Sequence, residues 1–145
     1  MKLSVIIPVY NAEKYIQETI ESVYAQEIVD MEVICVDDCS TDDSVRVIRE
    51  LQQAHDNLHL LQNTENHYAG FSRNRGIEAA AGEWIHFLDA DDLVAARDLQ
   101  QFAADDRRRD SADSAVYFIE DHRRYVIVIS DYLLEGQHDA GHLAA

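Results

Sequence analysis

Between residues 3 and 90, short continuous apolar runs alternate with segments whose apolar residues recur every three or four positions. Continuous branched apolar runs are typical of buried strands, and the wider spacing indicates the apolar face of a helix. Strand-like runs occur at residues 3–8, 31–40, 57–62 and 83–90. Helical spacing occurs between them, at residues 12–26, 42–54 and 69–83. The pattern therefore predicts four strands separated by three helices.

Such alternation predicts a three-layer α/β/α fold in which a mainly parallel central sheet carries helices on both faces. Three residue types suggest where the helices begin and end. Asn11 fits as the N-cap of the first helix, Ser40 or Thr41 as the N-cap of the second, and Gly82 as the residue past the C-cap of the third.

Beyond residue 92 the pattern continues with a helical segment and two further apolar runs. The helix is expected at residues 96–110, and the strands at residues 113–120 and 123–130, which can pair as a hairpin around Asp121-His122. Residues 131–145 carry no periodic signal. We therefore expect one domain over residues 1–130, followed by a weakly structured tail.

Composition narrows the classes of function. The chain has 145 residues and a formal net charge of -16, which disfavours binding to nucleic-acid phosphates or to anionic lipid. A bound divalent cation fits this charge better. The two cysteines, Cys35 and Cys39, make neither a disulfide framework nor a zinc site. No apolar stretch reaches the roughly 18 residues of a membrane span, so we expect a cytoplasmic protein and leave peripheral membrane contact open.

Ligands of open α/β sheets bind beyond the carboxyl ends of the strands. Three predicted strands end in chemically distinctive residues, namely Pro8-Val9-Tyr10, Asp37-Asp38 and Asp89-Ala90-Asp91-Asp92. These ends should meet at one edge of the sheet. The sequence therefore predicts an acidic site at this edge.

The cluster at Asp89, Asp91 and Asp92 has two interpretations. Mg²⁺ and Mn²⁺ take oxygen ligands, and Mg²⁺ often uses only one or two carboxylates, completing its shell with phosphate and water. Alternatively, Asp91 or Asp92 caps the following helix and meets its dipole. The pair Asp37-Asp38 likewise fits either a helix-starting loop or a carboxylate that accepts the imide N–H of a uracil base.

Three segments together carry a family resemblance. Residues 4–26 ("SVIIPVYNAEKYIQETIESVYAQ"), 32–44 ("EVICVDDCSTDDS") and 66–92 ("NHYAGFSRNRGIEAAAGEWIHFLDADD") resemble the family 2 glycosyltransferases of the GT-A fold, in order and in spacing. The resemblance implies an inverting transferase that binds a nucleotide-diphospho-sugar, most often a UDP-sugar, with a divalent cation, Mn²⁺ or Mg²⁺. It implies a saccharide or lipid-linked acceptor, of unknown identity, in polysaccharide or cell-envelope synthesis.

The resemblance also implies roles for particular residues. It places Pro8, Val9, Tyr10 and Glu13 in the loop that faces the nucleotide, with Asp38 reading uracil and Asp37 beside it. Arg73 and Asn74 match the "ARN" element that borders the donor pocket, although Ser72 replaces the usual alanine. The D-x-D element matches Asp89, Ala90 and Asp91, with Asp89 facing ribose or sugar and Asp91 ligating the metal together with Asp89. Arg73 could instead pair on the surface with Glu78 or Glu65.

One element of the family is missing. An inverting transferase needs a general base within hydrogen-bond reach of the acceptor hydroxyl, and the family supplies it well downstream of the D-x-D. Glu120-Asp121 comes too early in the chain and is better interpreted as a strand end or hairpin turn. Two hypotheses follow: the chain is part of a longer enzyme, or it is a nucleotide-sugar-binding module without transfer activity.

Overall fold

The computed structural model describes residues 3–94, residue 99, and the backbone of residues 115–118 and 125–128. The strands are β1 (Leu3–Val9), β2 (Met31–Asp37), β3 (Leu58–Gln62), β4 (Trp84–Phe87), β5 (Ala115–Phe118) and β6 (Tyr125–Val128). The helices are α1 (Ile16–Tyr24), α2 (Ser44–Gln52) and α3 (Tyr68–Ala79). The predicted order of the first four strands and three helices is therefore confirmed.

The described strands form one six-stranded sheet in the order β3-β2-β1-β4-β6-β5. All neighbouring pairs run parallel except β5 and β6, which are antiparallel. This arrangement confirms the mainly parallel sheet and the antiparallel pairing of the last two strands. It also places β1 between the two strands that end in acidic residues, β2 and β4.

Alternate residues of the strands feed two apolar cores, one on each face of the sheet. On one face, Val5 and Ile7 of β1 pack with Ile16 and Ile20 of α1 and with Ile48 of α2. On the other face, β1 and β2 form a smaller cluster against α3 and the segment after it. Its buried members are Ile6, Ile34, Val36, Ala80 and Ile85. Helices therefore cover both faces, as the sequence predicts.

Gly76 lets α3 approach β1 closely. A Cβ atom at this position would overlap the Cγ2 atom of Ile6. The side chains of α3 consequently sit close to the sheet, near the ends of β2 and β4. This approach matters for the site, because α3 supplies groups to both acidic strand ends.

The predicted position of Gly82, directly past the C-cap of the third helix, is wrong. Helix α3 ends at Ala79, and Ala80 is already extended. Instead, the Gly82 N–H donates to Ser4 Oγ at 2.9 Å, and the Ala81 N–H donates to Glu32 Oε1 at 2.7 Å. Because a buried carboxylate needs donors, Glu32 holds this segment at the amino end of the sheet.

The predicted N-caps of the first two helices are also wrong. Helix α1 begins at Ile16, and Asn11 lies in the left-handed region with a φ of 48°. Its Oδ1 atom accepts the Thr41 N–H at 2.8 Å, so it stabilises a neighbouring loop rather than its own helix. Helix α2 begins at Ser44, and Ser40 Oγ accepts the Asn11 N–H at 2.9 Å. Bonds between the two loops therefore set where both helices begin.

Among the described residues, no helix is long and apolar enough to cross a membrane. The predicted helix at residues 96–110, except Leu99, the turn around Asp121-His122, Glu120, and the tail at residues 131–145 lie outside the described residues.

Candidate functional site

The ends of β1, β2 and β4 meet at one edge of the sheet, as predicted. The Asp38 N–H donates to the Val9 carbonyl at 2.8 Å, and the Leu88 N–H donates to the Ile6 carbonyl at 3.0 Å. Tyr10, which follows Val9, is exposed at this edge with 52% of its surface accessible. The residues that follow these strands therefore lie beside one another.

Asp38 is buried, and three donors surround its carboxylate. Its Oδ1 atom accepts the His67 N–H at 2.7 Å and Asn63 Nδ2 at 2.9 Å, while Oδ2 accepts the Tyr68 N–H at 2.7 Å. Burial alone would raise the pKa of Asp38, but the bonds from His67, Asn63 and Tyr68 outweigh it and lower that pKa. A carboxylate offers about four acceptor positions, so these three bonds leave one position, on Oδ2, unused among the described residues.

Asn63 connects Asp38 to α3. Its amide nitrogen donates to Asp38 Oδ1 and to Ser72 Oγ, both at 2.9 Å, and its Oδ1 atom accepts Arg75 Nη1 at 2.7 Å. Sequence analysis missed Asn63 and Arg75. The signal for Asn63 was available, since it follows β3 at the same edge where the other strand-end residues lie.

The carboxylate of Asp37 has different hydrogen-bond partners from the carboxylate of Asp38. Its Oδ2 atom accepts the Ser40 N–H at 3.1 Å, while its Oδ1 atom is buried and has no hydrogen-bond partner among the described residues. A buried acceptor without a partner is rare in proteins. The two adjacent acids at the end of β2 are thus positioned differently, and Asp37 holds the turn that follows the strand.

Two loops at this edge are bonded to each other. The Glu13 N–H donates to Asp42 Oδ2 at 3.1 Å, and the Asp43 N–H donates to Glu13 Oε2 at 3.0 Å. Ser44 donates to Asp42 Oδ1 through both its N–H and its hydroxyl, at 3.0 and 2.6 Å. Burial opposes ionisation of Asp42, yet these bonds lower its pKa. The Glu13 carboxylate thus lies at the positive end of α2, where a negative charge is favoured.

The acids after β4 are arranged in an exposed turn. The Asp92 N–H donates to the Asp89 carbonyl at 3.1 Å, and the side chains of Asp89, Asp91 and Asp92 are exposed. Ala90 is buried between them, and its carbonyl accepts Thr19 Oγ1 at 2.9 Å. The turn is therefore anchored to α1 while its carboxylates face outward.

Arg73 provides a cation to this turn. Its Nη2 atom lies 3.1 Å from Asp89 Oδ1, so the surface pairs with Glu78 or Glu65 are not the ones formed. Asn74, the other residue of the "ARN" element, is exposed on α3. Helix α3 therefore reaches the end of β2 through the N–H groups of His67 and Tyr68, and the end of β4 through Arg73.

The donor atoms of the turn fit a hard divalent cation as a partial shell. Within residues 3–94 and the other described positions, no three His, Cys, Asp or Glu side chains converge as a preformed metal site. The turn instead offers exposed carboxylate oxygens, of which Asp89 Oδ1 is shared with Arg73. Mg²⁺-like ions accept such a shell when phosphate oxygens and water complete it.

Comparison with known proteins decides the family. The sequence profile described as Glycosyl transferase family 2 matches residues 4–134. The chain belongs to glycosyl transferase family 2. This finding confirms the family resemblance of the three segments and agrees with the mainly parallel α/β/α fold.

Relatives of this family 2 chain include a named poly(ribitol-phosphate) transferase and transferases of known structure. Poly(ribitol-phosphate) beta-N-acetylglucosaminyltransferase TarS of Staphylococcus aureus is 35% identical over 132 residues, which cover 89% of this chain and 21% of TarS. A crystal structure of S. aureus TarS in complex with UDP-GlcNAc superposes with a TM-score of 0.65 and 37% identity, over 72% of this chain and 30% of that chain.

A second solved relative is the mannosyltransferase PcManGT of Pyrobaculum calidifontis, in complex with GDP-Man and Mn²⁺. It superposes with a TM-score of 0.66 and 32% identity, over 71% of this chain and 31% of that chain. The family 2 chain thus spans less than a third of the length of these solved relatives.

Most residues that the resemblance assigns to donor binding lie at the acidic edge of this family 2 domain. Pro8 and Val9 end β1 and Tyr10 follows them, while Asp37 ends β2 and Asp38 follows it. Asp89, Ala90 and Asp91 follow β4 and meet Arg73, whereas Glu13 contacts the start of α2. Their roles toward a donor stay predictions.

Proposed function

We propose that this domain binds the nucleotide-diphospho-sugar donor of a glycosyltransferase, and that the donor is a UDP-sugar. The observation that carries the proposal is the juxtaposition of two unlike acidic groups at one edge of the sheet. Asp38 has one acceptor position left beside the exposed Tyr10, and the Asp89–Asp92 turn presents outward-facing carboxylates with Arg73 at its side.

In the proposal, the nucleoside lies over the ends of β1 and β2. Pro8, Val9 and Tyr10 line it, and Asp38 accepts the N3–H of uracil through its remaining position on Oδ2. Asp37 and Glu13 support this region by holding the loops that follow β1 and β2. The TarS complex with UDP-GlcNAc supports the choice of nucleotide, since TarS is 37% identical over the shared fold.

The diphosphate and sugar lie toward the end of β4. Asp91 and Asp89 would hold a divalent cation, Mn²⁺ or Mg²⁺, with Asp89 also near the ribose or sugar and with Arg73 and Asn74 bordering the pocket. Such a cation, when bound, offsets the charge of the diphosphate and of the clustered carboxylates. The complex of PcManGT with GDP-Man and Mn²⁺ supports the presence of a metal.

In the transfer step, an acceptor hydroxyl attacks the anomeric carbon from the face opposite the diphosphate. The new glycosidic C–O bond forms as the bond to the diphosphate breaks, and the departing diphosphate takes the electron pair. The proton of the hydroxyl passes to a general base. This chain contributes donor binding, orientation of the diphosphate and a cation, Arg73, near the leaving group.

The acceptor is proposed to be a saccharide or lipid-linked precursor of a cell-envelope polymer. This proposal is supported by the relative TarS, which is named as a poly(ribitol-phosphate) transferase. The proposal names no particular sugar.

Comparing UDP with CDP tests the role of Asp38. Uracil carries a proton on N3, whereas cytosine presents a lone pair there that a carboxylate would repel. Calorimetry in the presence of Mn²⁺ should show UDP binding at least about tenfold more tightly than CDP, since one lost charged hydrogen bond costs roughly that much. Equal affinities would contradict base reading by Asp38, and binding of neither would contradict the donor site.

A further inference from the structure

Tyr68, the first residue of α3, adopts a conformation that disfavours its side chain. Its φ is 69°, in the left-handed region that a bulky aromatic residue rarely occupies. The residue is 79% exposed, so burial of the ring offers little compensation. Glycine or asparagine would suit this backbone position better. The fold alone therefore does not account for a tyrosine here.

The backbone of Tyr68 is fixed by Asp38. The Tyr68 N–H donates to Asp38 Oδ2 at 2.7 Å, the same oxygen that keeps an acceptor position for a ligand. A ligand N–H that reaches this oxygen must therefore approach next to Tyr68. The Asp38 N–H in turn donates to Val9, which precedes the exposed Tyr10. Tyr10 thus follows a residue that accepts a hydrogen bond from Asp38, and Tyr68 itself donates one to Asp38. Both tyrosines are exposed.

The aromatic residues near Tyr68 in the chain differ from it, because their rings are already in contact with each other. The rings of His67 and Phe71 contact each other, with centroids 4.2 Å apart. Among the described residues, Tyr68 has no such ring contact. Its ring is therefore available for a planar ligand, whereas the rings of His67 and Phe71 are already paired.

We infer that Tyr68 is a specificity-determining residue of the proposed donor site, whose ring packs against the nucleobase while the edge of that base donates to Asp38. This inference rests on the proposed function. Aromatic rings stack on bases through the flat π-face, and a tyrosine fixed at its backbone loses little freedom when it does so. The residue thus contacts the base and not the diphosphate.

Replacing Tyr68 separates its contribution to binding from its contribution to folding. Tyr68→Gly should weaken UDP binding about tenfold in calorimetry with Mn²⁺. Binding of inorganic diphosphate with Mn²⁺, which has no base, should not change. The melting temperature should stay the same or rise, because glycine relieves the unfavourable φ. Tyr68→Phe should retain the affinity for UDP, since the ring remains.

Tyr15→Ala serves as the matched control, because Tyr15 is also exposed, at 52%, but has an ordinary negative φ of -121°. It should leave UDP affinity unchanged. If the wild-type protein binds no UDP, both the proposed function and this inference fail. If it binds UDP and Tyr68→Gly binds equally well, only the inference fails. An equal loss of UDP and diphosphate binding would also overturn it, because the ring would then not act on the base.

Discussion

The acidic ends of β2 and β4 lie at the same edge of the sheet but differ in almost every physical respect. Asp38, at the end of β2, is buried and accepts three hydrogen bonds from Asn63, His67 and Tyr68. The turn after β4 exposes its carboxylates, and Asp89 pairs with Arg73.

Acidic residues at a strand end can therefore serve two purposes. A carboxylate that already accepts three hydrogen bonds holds the fold and positions α3, and about one of its acceptor positions is left for a ligand. Exposed carboxylates on an anchored turn repel one another and gain most when a cation and a phosphate arrive. Asp38 should therefore matter for stability as well as for recognition of the base, whereas the turn after β4 should matter mainly for binding of the metal and the diphosphate.

Asp38→Ala should show the largest effect on stability. It leaves three buried or partly buried donors without their charged acceptor, which we expect to cost about 4 kcal/mol of the free energy of unfolding. Urea denaturation measures this loss. Asp91→Ala is the control and should change the same quantity by less than about 0.5 kcal/mol. Equal losses in the free energy of unfolding for the two variants would contradict the difference described between the ends of β2 and β4.

The pH dependence of stability should distinguish the contribution of His86 in β4 from that of Asp38 after β2, because the two groups titrate in different pH ranges. Burial lowers the pKa of His86, in β4, to about 4, while an unfolded histidine titrates near 6.5. Between these values only the unfolded chain binds the proton, so stability falls as the pH decreases from about 6.5 to about 4, by about 3 kcal/mol. His86→Phe should flatten this part of the pH profile.

Asp38 acts in a lower pH window. Because its pKa is lowered on folding, its contribution is present above the unfolded value of about 3.9 and is lost as the pH falls through the folded value. Denaturation curves that extend well below a pH of about 4 should therefore show a second loss, to which Asp42, whose pKa is also lowered, contributes as well. A His86→Phe variant that keeps the whole loss between pH 6.5 and pH 4 would contradict the assignment to His86.

Gly76→Ala tests the helix that reaches both strand ends. A Cβ atom would overlap Ile6, which should shift α3 and cost about 2 kcal/mol in the free energy of unfolding. Since α3 supplies donors to Asp38 and Arg73 to Asp89, UDP affinity should fall as well. Gly70→Ala, at an exposed helical position of α3, should instead be neutral or stabilising by up to about 1 kcal/mol.

Arg73→Ala should have the smallest effect on stability and a clear effect on binding. Its ion pair with Asp89 is partly exposed, so we expect a change of less than about 0.5 kcal/mol in the free energy of unfolding. Affinity for UDP with Mn²⁺ should fall about tenfold, because a cation near the diphosphate is lost. Arg46→Ala removes another exposed pair, with Asp43 and Glu50, and should change neither quantity.

Local patterns predicted most of the architecture, because strand and helix periodicities depend on neighbours in the chain. The order of strands and helices along the chain, the two covered faces of the sheet and the acidic edge follow from these periodicities, whereas the order of the strands within the sheet was not predicted. The positions of the helix ends could not be predicted from these local periodicities. Asn11 bonds to Thr41, and Gly82 to Ser4, across distances along the chain that no local pattern encodes.

The site was predictable in location but not in its internal bonding. The strand-end rule brought Tyr10, Asp38 and Asp89 to one edge. It could not show that Asn63 and the start of α3 would together use three of the four acceptor positions of Asp38, nor that Arg73 would select Asp89 over Glu78 or Glu65. These choices depend on how closely α3 packs against β1, which Gly76 permits.

The most direct test of the central claim is UDP binding by calorimetry, with Mn²⁺ and with excess chelator, for the wild-type protein and for Asp91→Ala. The wild-type protein should bind UDP at least about tenfold more weakly in chelator, and Asp91→Ala should bind weakly in both conditions. Asp91→Ala should nevertheless melt at the wild-type temperature without ligand. Equally tight binding by the wild-type protein in chelator, or wild-type affinity in Asp91→Ala, would contradict a metal–diphosphate site at the end of β4.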